Sequence, residues 1–502
     1  MVITRQAKIA PRGRFSRGRF TMPSAVEEHI EVRSPNQSAE ILGVFPCGAE
    51  DAAEVVGSAV DALASWRALT LEARLEVLAR VQRPLLQRSA ELAVRMHSEL
   101  GRPPWECTRE LDGLVPRLRD LCALAQRSLG DEAHGRARIR HRPLGVVVVL
   151  GPVMLPIATS HTHILAALIA GNTVVWKPSP LSAASAQLYM EALQAAGLPP
   201  GVVNLIQGGA SVGQQLLAHP KVDAAVFTGS REHAHEIRQA TSNRFDLTMM
   251  FHVGAKNPAV VLENAALTAA AVEIAQGAYL SAGQRCTATS RVLVQASVLD
   301  GFLDALAATA RRIRFGRSGA SAFMGPMFSR ERQQRFLQHL ATAELEGAVP
   351  VLRPEARPDL CVGPSIHLVE NPASATEYRE MELFGPDVVV EPVADLADAV
   401  RRLDRTATLY ASLFSADVAS WQRFQRNVES GALLWNHSPV ALSGRLSFAS
   451  TGREHANRGP HALLAMTRRS AHCDAPTGAP LPSEVLDLVD DAAPGLEKRS
   501  GS

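Results

Sequence analysis

No surplus of charge marks this 502-residue sequence: 52 Lys and Arg face 50 Asp and Glu, for a formal charge of +2. Nucleic acid and anionic membrane surfaces, which recruit strongly basic faces, are therefore not expected as partners. Long apolar runs are missing as well. The longest, from Leu144 through Leu150 to Pro156, is broken by Gly and Pro and is too short to cross a bilayer, which takes about 20 residues. Cysteine is sparse, at positions 47, 107, 122, 286, 361 and 473, with no C-x-x-C and no metal-ligand spacing. That pattern argues against a disulfide framework, predicts no metal centre and fits a reducing cytoplasm. No G-x-G-x-x-G fingerprint occurs on the first buried strand, so a nucleotide site needs other anchors. Residues 1–25 are basic and polar without an apolar core. They read as a mobile extension rather than a secretory leader.

What is present is 46% hydrophobic composition, enough for two or three domains with sizeable cores. Residues 50–125 repeat apolar positions three and four apart, as in Val55, Val56 and Trp66 or Leu71, Leu75 and Leu78, which predicts helices. Arg136 to Arg140 alternates Arg with apolar residues, like an exposed ribbon. Strand 145–150 follows, then helix 157–170, strand 173–176, helix 183–196, strand 202–206, helix 211–218 and strand 224–227. Such alternation predicts an α/β fold with a doubly wound parallel sheet. A second alternating region runs from 258 to about 440, and a Pro- and Asp-rich tail closes the chain.

Chemistry concentrates at Ala282-Gly283-Gln284-Arg285-Cys286-Thr287. A thiol on a tight turn, beside a guanidinium and backbone N–H groups, is a plausible nucleophile, because each of these favours the thiolate. A partly buried structural thiol is the alternative. Upstream lies Phe251-His252-Val253-Gly254-Ala255-Lys256-Asn257-Pro258, and downstream Glu382-Leu383-Phe384-Gly385-Pro386. With these three segments in this order, the chain resembles the aldehyde dehydrogenase superfamily over roughly residues 30–475. The cysteine loop, with Thr451-Gly452-Arg453-Glu454-His455-Ala456-Asn457-Arg458-Gly459, looks like the succinylglutamate semialdehyde dehydrogenase branch.

The resemblance implies a dinucleotide-binding domain (26–126 and 144–253) and a catalytic domain (254–458). It also implies an oligomerisation ribbon (127–143 with 459–475), beyond which 476–502 form a tail. In relatives the ribbon extends a neighbouring subunit's sheet, so a homodimer or larger homo-oligomer is expected. NAD or NADP is the expected cofactor. Lys177, at the carboxyl end of a parallel strand, points into the crevice where ligands bind, and it matches the Lys that holds the adenosine ribose. Ser179 follows it. Ser230 can offer hydroxyl and N–H groups to a pyrophosphate at a helix start, and Gly209, Gly213 and Gly229 permit close approach. Each also has a bland reading, as a solvated lysine, a helix cap or a loop glycine. Where many relatives read Lys-Pro-Ser-Glu, this chain has Pro180. Losing that carboxylate removes repulsion against a 2′-phosphate.

Glu382 and Phe384 match residues that position the nicotinamide ribose and ring, and Cys286 matches the nucleophile, whose own N–H can face an oxyanion. Two expected groups are replaced. Met154 stands where the family places the oxyanion-binding Asn, and His252 where it places the general-base Glu. The offset of 34 residues from 252 to 286 matches the family spacing. Three readings stay open: His252 acts as the base, with His161 or His163 contributing; another nucleophile resolves the thioester, or the enzyme works reductively; or the chain is a scaffold with little chemistry. An acidic semialdehyde, an aldehyde of the class these relatives take, would call on Arg445, Ser447 or Arg453, any of which can equally be a solvated surface group.

Overall fold

The computed structural model describes residues 9–35, 37–134, 137–316, 322–403, 408–441, 448–449, 457–458 and 460–473. Two seven-stranded sheets carry the chain. In the first, the strands run in the order Thr248–Val253, Ala224–Gly229, Val146–Leu150, Thr173–Lys177, Val203–Leu205, followed by the short strands Arg14–Ser16 and Arg19–Thr21. The five long-range strands are mutually parallel. Val146–Leu150 is β-branched almost throughout and buried at every position, as a strand covered on both faces must be. Val147, Val149 and Trp176 pack on one face against helices bearing Trp66, Leu165 and Ile169. Val146, Val148 and Val175 face Val55, Val56 and Leu216 on the other.

After the hairpin at the sheet's edge, the parallel strands begin at the middle of their row, with Val146–Leu150, and wind outward both ways. Val146–Leu150 pairs with Thr173–Lys177 on one side and Ala224–Gly229 on the other. The two strands' following loops therefore diverge, and a crevice opens at their carboxyl ends. The second sheet runs Val349–Leu352, Ser365–Leu368, Asp387–Val393, Thr289–Gln295, Asn257–Val261, Tyr410–Phe414 and Ala432–Trp435. All its pairings are parallel except that of the edge strand Val349–Leu352.

Residues 14–21 correct the expectation of a mobile extension over 1–25. Arg17 and Gly18 both take positive φ (50° and 79°), the geometry of a two-residue hairpin turn. Phe15, which is buried, pairs with Leu205 at the sheet edge, and its ring meets Phe20 edge-on at 4.9 Å. Arg14 forms ion pairs with Asp51 (3.2 Å) and Glu54. The polarity that made this stretch look unstructured is matched by partners on helix Asp51–Ala68. Residues 1–8 and the tail from 474 lie outside the described residues.

The two pieces expected to form a ribbon come together. Thr467–Cys473 pairs antiparallel with Ala137–Pro143 along its whole length. Glu132–His134 adds a third strand on the other side.

Candidate active site

The carboxyl ends of Val146–Leu150, Thr173–Lys177, Ala224–Gly229 and Thr248–Val253 open into one cavity of about 1370 Å³. Its opposite wall comes from the second sheet's loops around Cys286, Phe328 and Glu382–Phe384. Met154, Lys177, Ser179, Gly209, Gly213, Gly229 and Ser230 line it from the first side, with His252 between, and Cys286, Glu382 and Phe384 from the second. Residues spread over 230 positions of sequence thus share one space.

The cysteine loop is built under constraint. Ser281, Ala282 and Gly283 take left-handed φ in succession (59°, 54°, 66°), a conformation that strains two non-glycine residues. Gly283 has no alternative, because a Cβ there would collide with the Gly385 carbonyl. Gln284, buried, donates to the Ser281 carbonyl (3.2 Å) and the Pro326 carbonyl (3.3 Å), and accepts from Phe328 N–H (3.0 Å). Asn257 fixes the other end. Its amide nitrogen donates to the carbonyls of Cys286 (2.8 Å) and Ala288 (3.0 Å), and its oxygen accepts from the N–H groups of Leu409 (2.9 Å) and Tyr410 (3.2 Å). Cys286 is not in a disulfide and is partly exposed, with Ala255, Tyr410 and Leu434 around it. Arg285 precedes it with the guanidinium turned inward, where burial lowers its pKa and Glu106 opposes the shift.

His252 is half-buried on the last turn of its strand, its ring centroid 4.5 Å from that of His163. His161, considered beside it, points away. Its ring nitrogens meet Tyr189 hydroxyl (2.7 Å) and the Leu114 carbonyl (3.0 Å), and burial pushes its pKa down to about 3. It is a core histidine. Met154 is buried at the cavity wall, and its thioether carries no hydrogen-bond donor. The next residue, Leu155, takes φ 47° before helix Pro156–Ala170.

On the dinucleotide side, Lys177 donates to the carbonyls of Pro178 (3.2 Å) and Gly208 (2.9 Å). Burial holds its pKa down to about 8. Ser230 caps helix Arg231–Ala240, accepting from His233 N–H at 3.3 Å. Ser179 similarly accepts from Leu181 N–H (3.3 Å). Gly209 has a local reason to be glycine: its N–H meets Glu28 (3.2 Å), whose carboxylate occupies the space of a Cβ. Gly213 leaves its Cβ space beside the Lys177 stem, and a Cβ on Gly229 would strike the Phe227 ring. Glu382 lies directly over Gly254, where any Cβ would overlap its carboxylate. Phe384 takes φ 54°, and its ring stands 6.4 Å from that of Phe328. A lysine at a strand end, a helix start and an inward carboxylate around one large cavity fit a dinucleotide. Arg445, Ser447 and Arg453 lie outside the described residues, as does most of the 451–459 segment.

Sequence reasoning overlooked a buried ionic cluster. Arg102 ion-pairs with Glu106 (3.1 Å) and Glu110, all three nearly without exposure. Glu110 also accepts from Ile157 N–H (3.2 Å) and Ala158 N–H (2.9 Å) at the start of the helix after Met154. Glu106 accepts from Ser281 hydroxyl. The available signal was two glutamates four apart among Cys107, Leu111 and Leu114, carboxylates on a face that ought to be apolar.

Comparison with known proteins agrees with this arrangement. Residues 20–467 match the Aldehyde dehydrogenase family. N-succinylglutamate 5-semialdehyde dehydrogenase of Burkholderia pseudomallei is 33% identical over 472 residues, covering 92% of this chain and 96% of its own. The Burkholderia cenocepacia protein of the same name is 34% identical over the same shares. Among solved structures, Aldehyde Dehydrogenase C from Pseudomonas syringae, complexed with NAD+ and octanal, superposes with a TM-score of 0.87 at 23% identity, covering 92% of this chain and 96% of that one. The NADP-dependent glyceraldehyde-3-phosphate dehydrogenase of Bacillus halodurans, complexed with NADP, gives 0.86 at 24%, covering 92% and 99%. By its matched length and its identity to these relatives, the chain belongs to the aldehyde dehydrogenase family, whose reaction is the NAD(P)-dependent oxidation of an aldehyde.

Proposed function

We propose that this enzyme oxidises an acidic semialdehyde to the carboxylic acid through a thioester on Cys286, with His252 as the base. The observation that carries the reading is that Cys286 and His252 line the same cavity as Lys177, Ser230 and Glu382. The semialdehyde class rests on the names of the 33–34% identical relatives. The Cys286 thiolate adds to the aldehyde carbon, and the carbonyl oxygen becomes an alkoxide facing the Cys286 N–H. Bound NAD or NADP supplies the acceptor for the hydride that then leaves that carbon. The resulting thioester is attacked by water as a His252 nitrogen takes its proton, and the thiolate departs.

Met154 withholds one oxyanion donor, a loss of roughly 3 kcal/mol or about 10²-fold in rate. Hydride transfer from the hemithioacetal should therefore be slow, and Met154→Asn should speed the first turnover. His252→Ala should retain the first burst of reduced cofactor and lose steady turnover. Stopped-flow absorbance reads both. No burst with any semialdehyde, in protein that binds cofactor, would overturn the reading. Steady turnover restored in His252→Ala by coenzyme A would show that a thiol rather than water resolves the thioester.

Pro180 on the cavity rim removes a carboxylate from the ribose region, and Lys177 lies close by. We infer that a 2′-phosphate is tolerated. With its pKa at about 8, Lys177 is cationic below that pH and neutral above it. Affinity for NADP should fall as pH rises from 7.5 to 9.5, a limb that Lys177→Met flattens; NAD affinity should change much less. Calorimetric titration across this range checks it, and parallel NAD and NADP curves would contradict it.

The ribbon of Glu132–His134, Ala137–Pro143 and Thr467–Cys473 supports a homodimer or larger homo-oligomer, since a small sheet with open edges is poorly stable alone. Sedimentation equilibrium should show at least twice the 53.8 kDa chain mass; a monomer at micromolar concentration would reject the assembly. Among the described residues no helix is long and apolar enough to cross a membrane. Among the described residues Cys47, Cys107, Cys122, Cys286 and Cys361 form no disulfide, which supports a cytoplasmic location.

A further inference from the structure

The cluster around Arg102 belongs to neither half of the site, yet it touches both. Helix Pro104–Asp112 presents Glu106 and Glu110 one turn apart, and Arg102 joins them. Glu110 holds the amides of Ile157 and Ala158, immediately after the Met154–Leu155 turn. Glu106 holds the Ser281 hydroxyl and faces the Arg285 guanidinium. Two arginines and two glutamates thus balance, with Arg102, Glu106 and Glu110 buried and Arg285 at the edge of the cluster. Carboxylates so buried depend on the opposite charges beside them.

We propose that Glu106 and Ser281 are positioning residues for the Cys286 thiol, acting through the left-handed turn at 281–283. Three consecutive positive φ values are unfavourable for Ser281 and Ala282, so the turn needs a constraint from outside itself. The hydroxyl bond from Ser281 to Glu106 supplies it at the first residue, and Gln284 and Asn257 hold the turn further on. Because Met154 provides no side-chain donor, the Cys286 N–H has to bear more of the oxyanion charge, and its direction is set by this turn. The same helix that fixes the turn fixes the start of helix Pro156–Ala170, so the two walls of the reacting centre are referenced to one rigid element.

This inference rests on Cys286 being the nucleophile, and its test keeps the two apart. The rate of Cys286 alkylation by iodoacetamide is followed by peptide mass in the intact protein, with NAD affinity measured in parallel. Ser281→Ala removes only the hydroxyl; Glu106→Gln keeps an acceptor for it; Glu106→Ala removes both acceptor and charge. Ser281→Ala and Glu106→Ala should slow alkylation by about 10-fold or more, as small misplacements of a reacting group do. Glu106→Gln should stay within about 3-fold of the unaltered protein, and NAD affinity should hold within about 2-fold in Ser281→Ala, a difference of well under 1 kcal/mol. A merely structural role would instead weaken alkylation and NAD binding together. Alkylation of Ser281→Ala at the unaltered rate, or Glu106→Gln as slow as Glu106→Ala, would overturn the proposal. If Cys286 of the unaltered protein resists iodoacetamide altogether, the nucleophile assignment fails and this inference falls with it.

Discussion

One buried carboxamide sets the geometry on which the site depends. Asn257 can donate twice and accept twice, and it does all four, to backbone groups on two separate segments. It sits at the start of a central strand of the second sheet and is 1% exposed. A side chain so fully used has one orientation, since any rotation strands buried N–H and C=O groups at a penalty of about 1–3 kcal/mol each. The carbonyl of Cys286 is therefore tied to a rigid strand. Asn257 thus anchors the cysteine loop at its downstream end, while the strained left-handed turn, held at Ser281 by Glu106, sets its upstream end.

The cavity's chemistry follows from where strands end. Parallel strands end together, and the switch at Val146–Leu150 opens the space between Lys177 and the Ala224–Gly229 loop. Glycine at 254 lets the Glu382 carboxylate lie over the strand end. Beside it Lys256 is buried to 2% exposure with its ammonium 5.2 Å from the Tyr378 ring, and burial brings its pKa down to about 8. Glu382 and Lys256 thus place charge in a largely apolar cavity, to which Met154 and His252 add a thioether and an imidazole. The His252 ring lies against that of His163, on helix Pro156–Ala170.

Much of this was legible in the sequence, for physical reasons. Val146–Leu150 could be read because a strand buried on both faces is continuously apolar, and the helices of 50–125 because their burial is periodic. Lys177 stood out because it ends such a strand, and Ser230 because it follows one directly and caps the next helix. Other features resisted. The hairpin at Arg14–Thr21 was hidden because Arg14 is neutralised by Asp51 and Glu54, and Arg17 by Asp61, residues 30 or more positions away. Its Arg17-Gly18 turn between Phe15 and Phe20 was the readable sign. Glu106 and Glu110 gave no hint of their partners, since Ser281 and Ile157 lie far along the chain. His161 and His163 were indistinguishable by type; two residues of helical rotation send one to Tyr189 in the core and the other to His252.

The central claim is that Cys286 carries the acyl group. Acid quenching within the first turnover, after mixing enzyme, cofactor and a carboxylate-bearing semialdehyde, followed by peptide mass mapping, tests it most directly. The account predicts one acyl adduct, confined to the peptide containing Cys286 and absent from Cys286→Ser. Reduced cofactor formed with no adduct at Cys286, or an adduct on another of the cysteines, would contradict it.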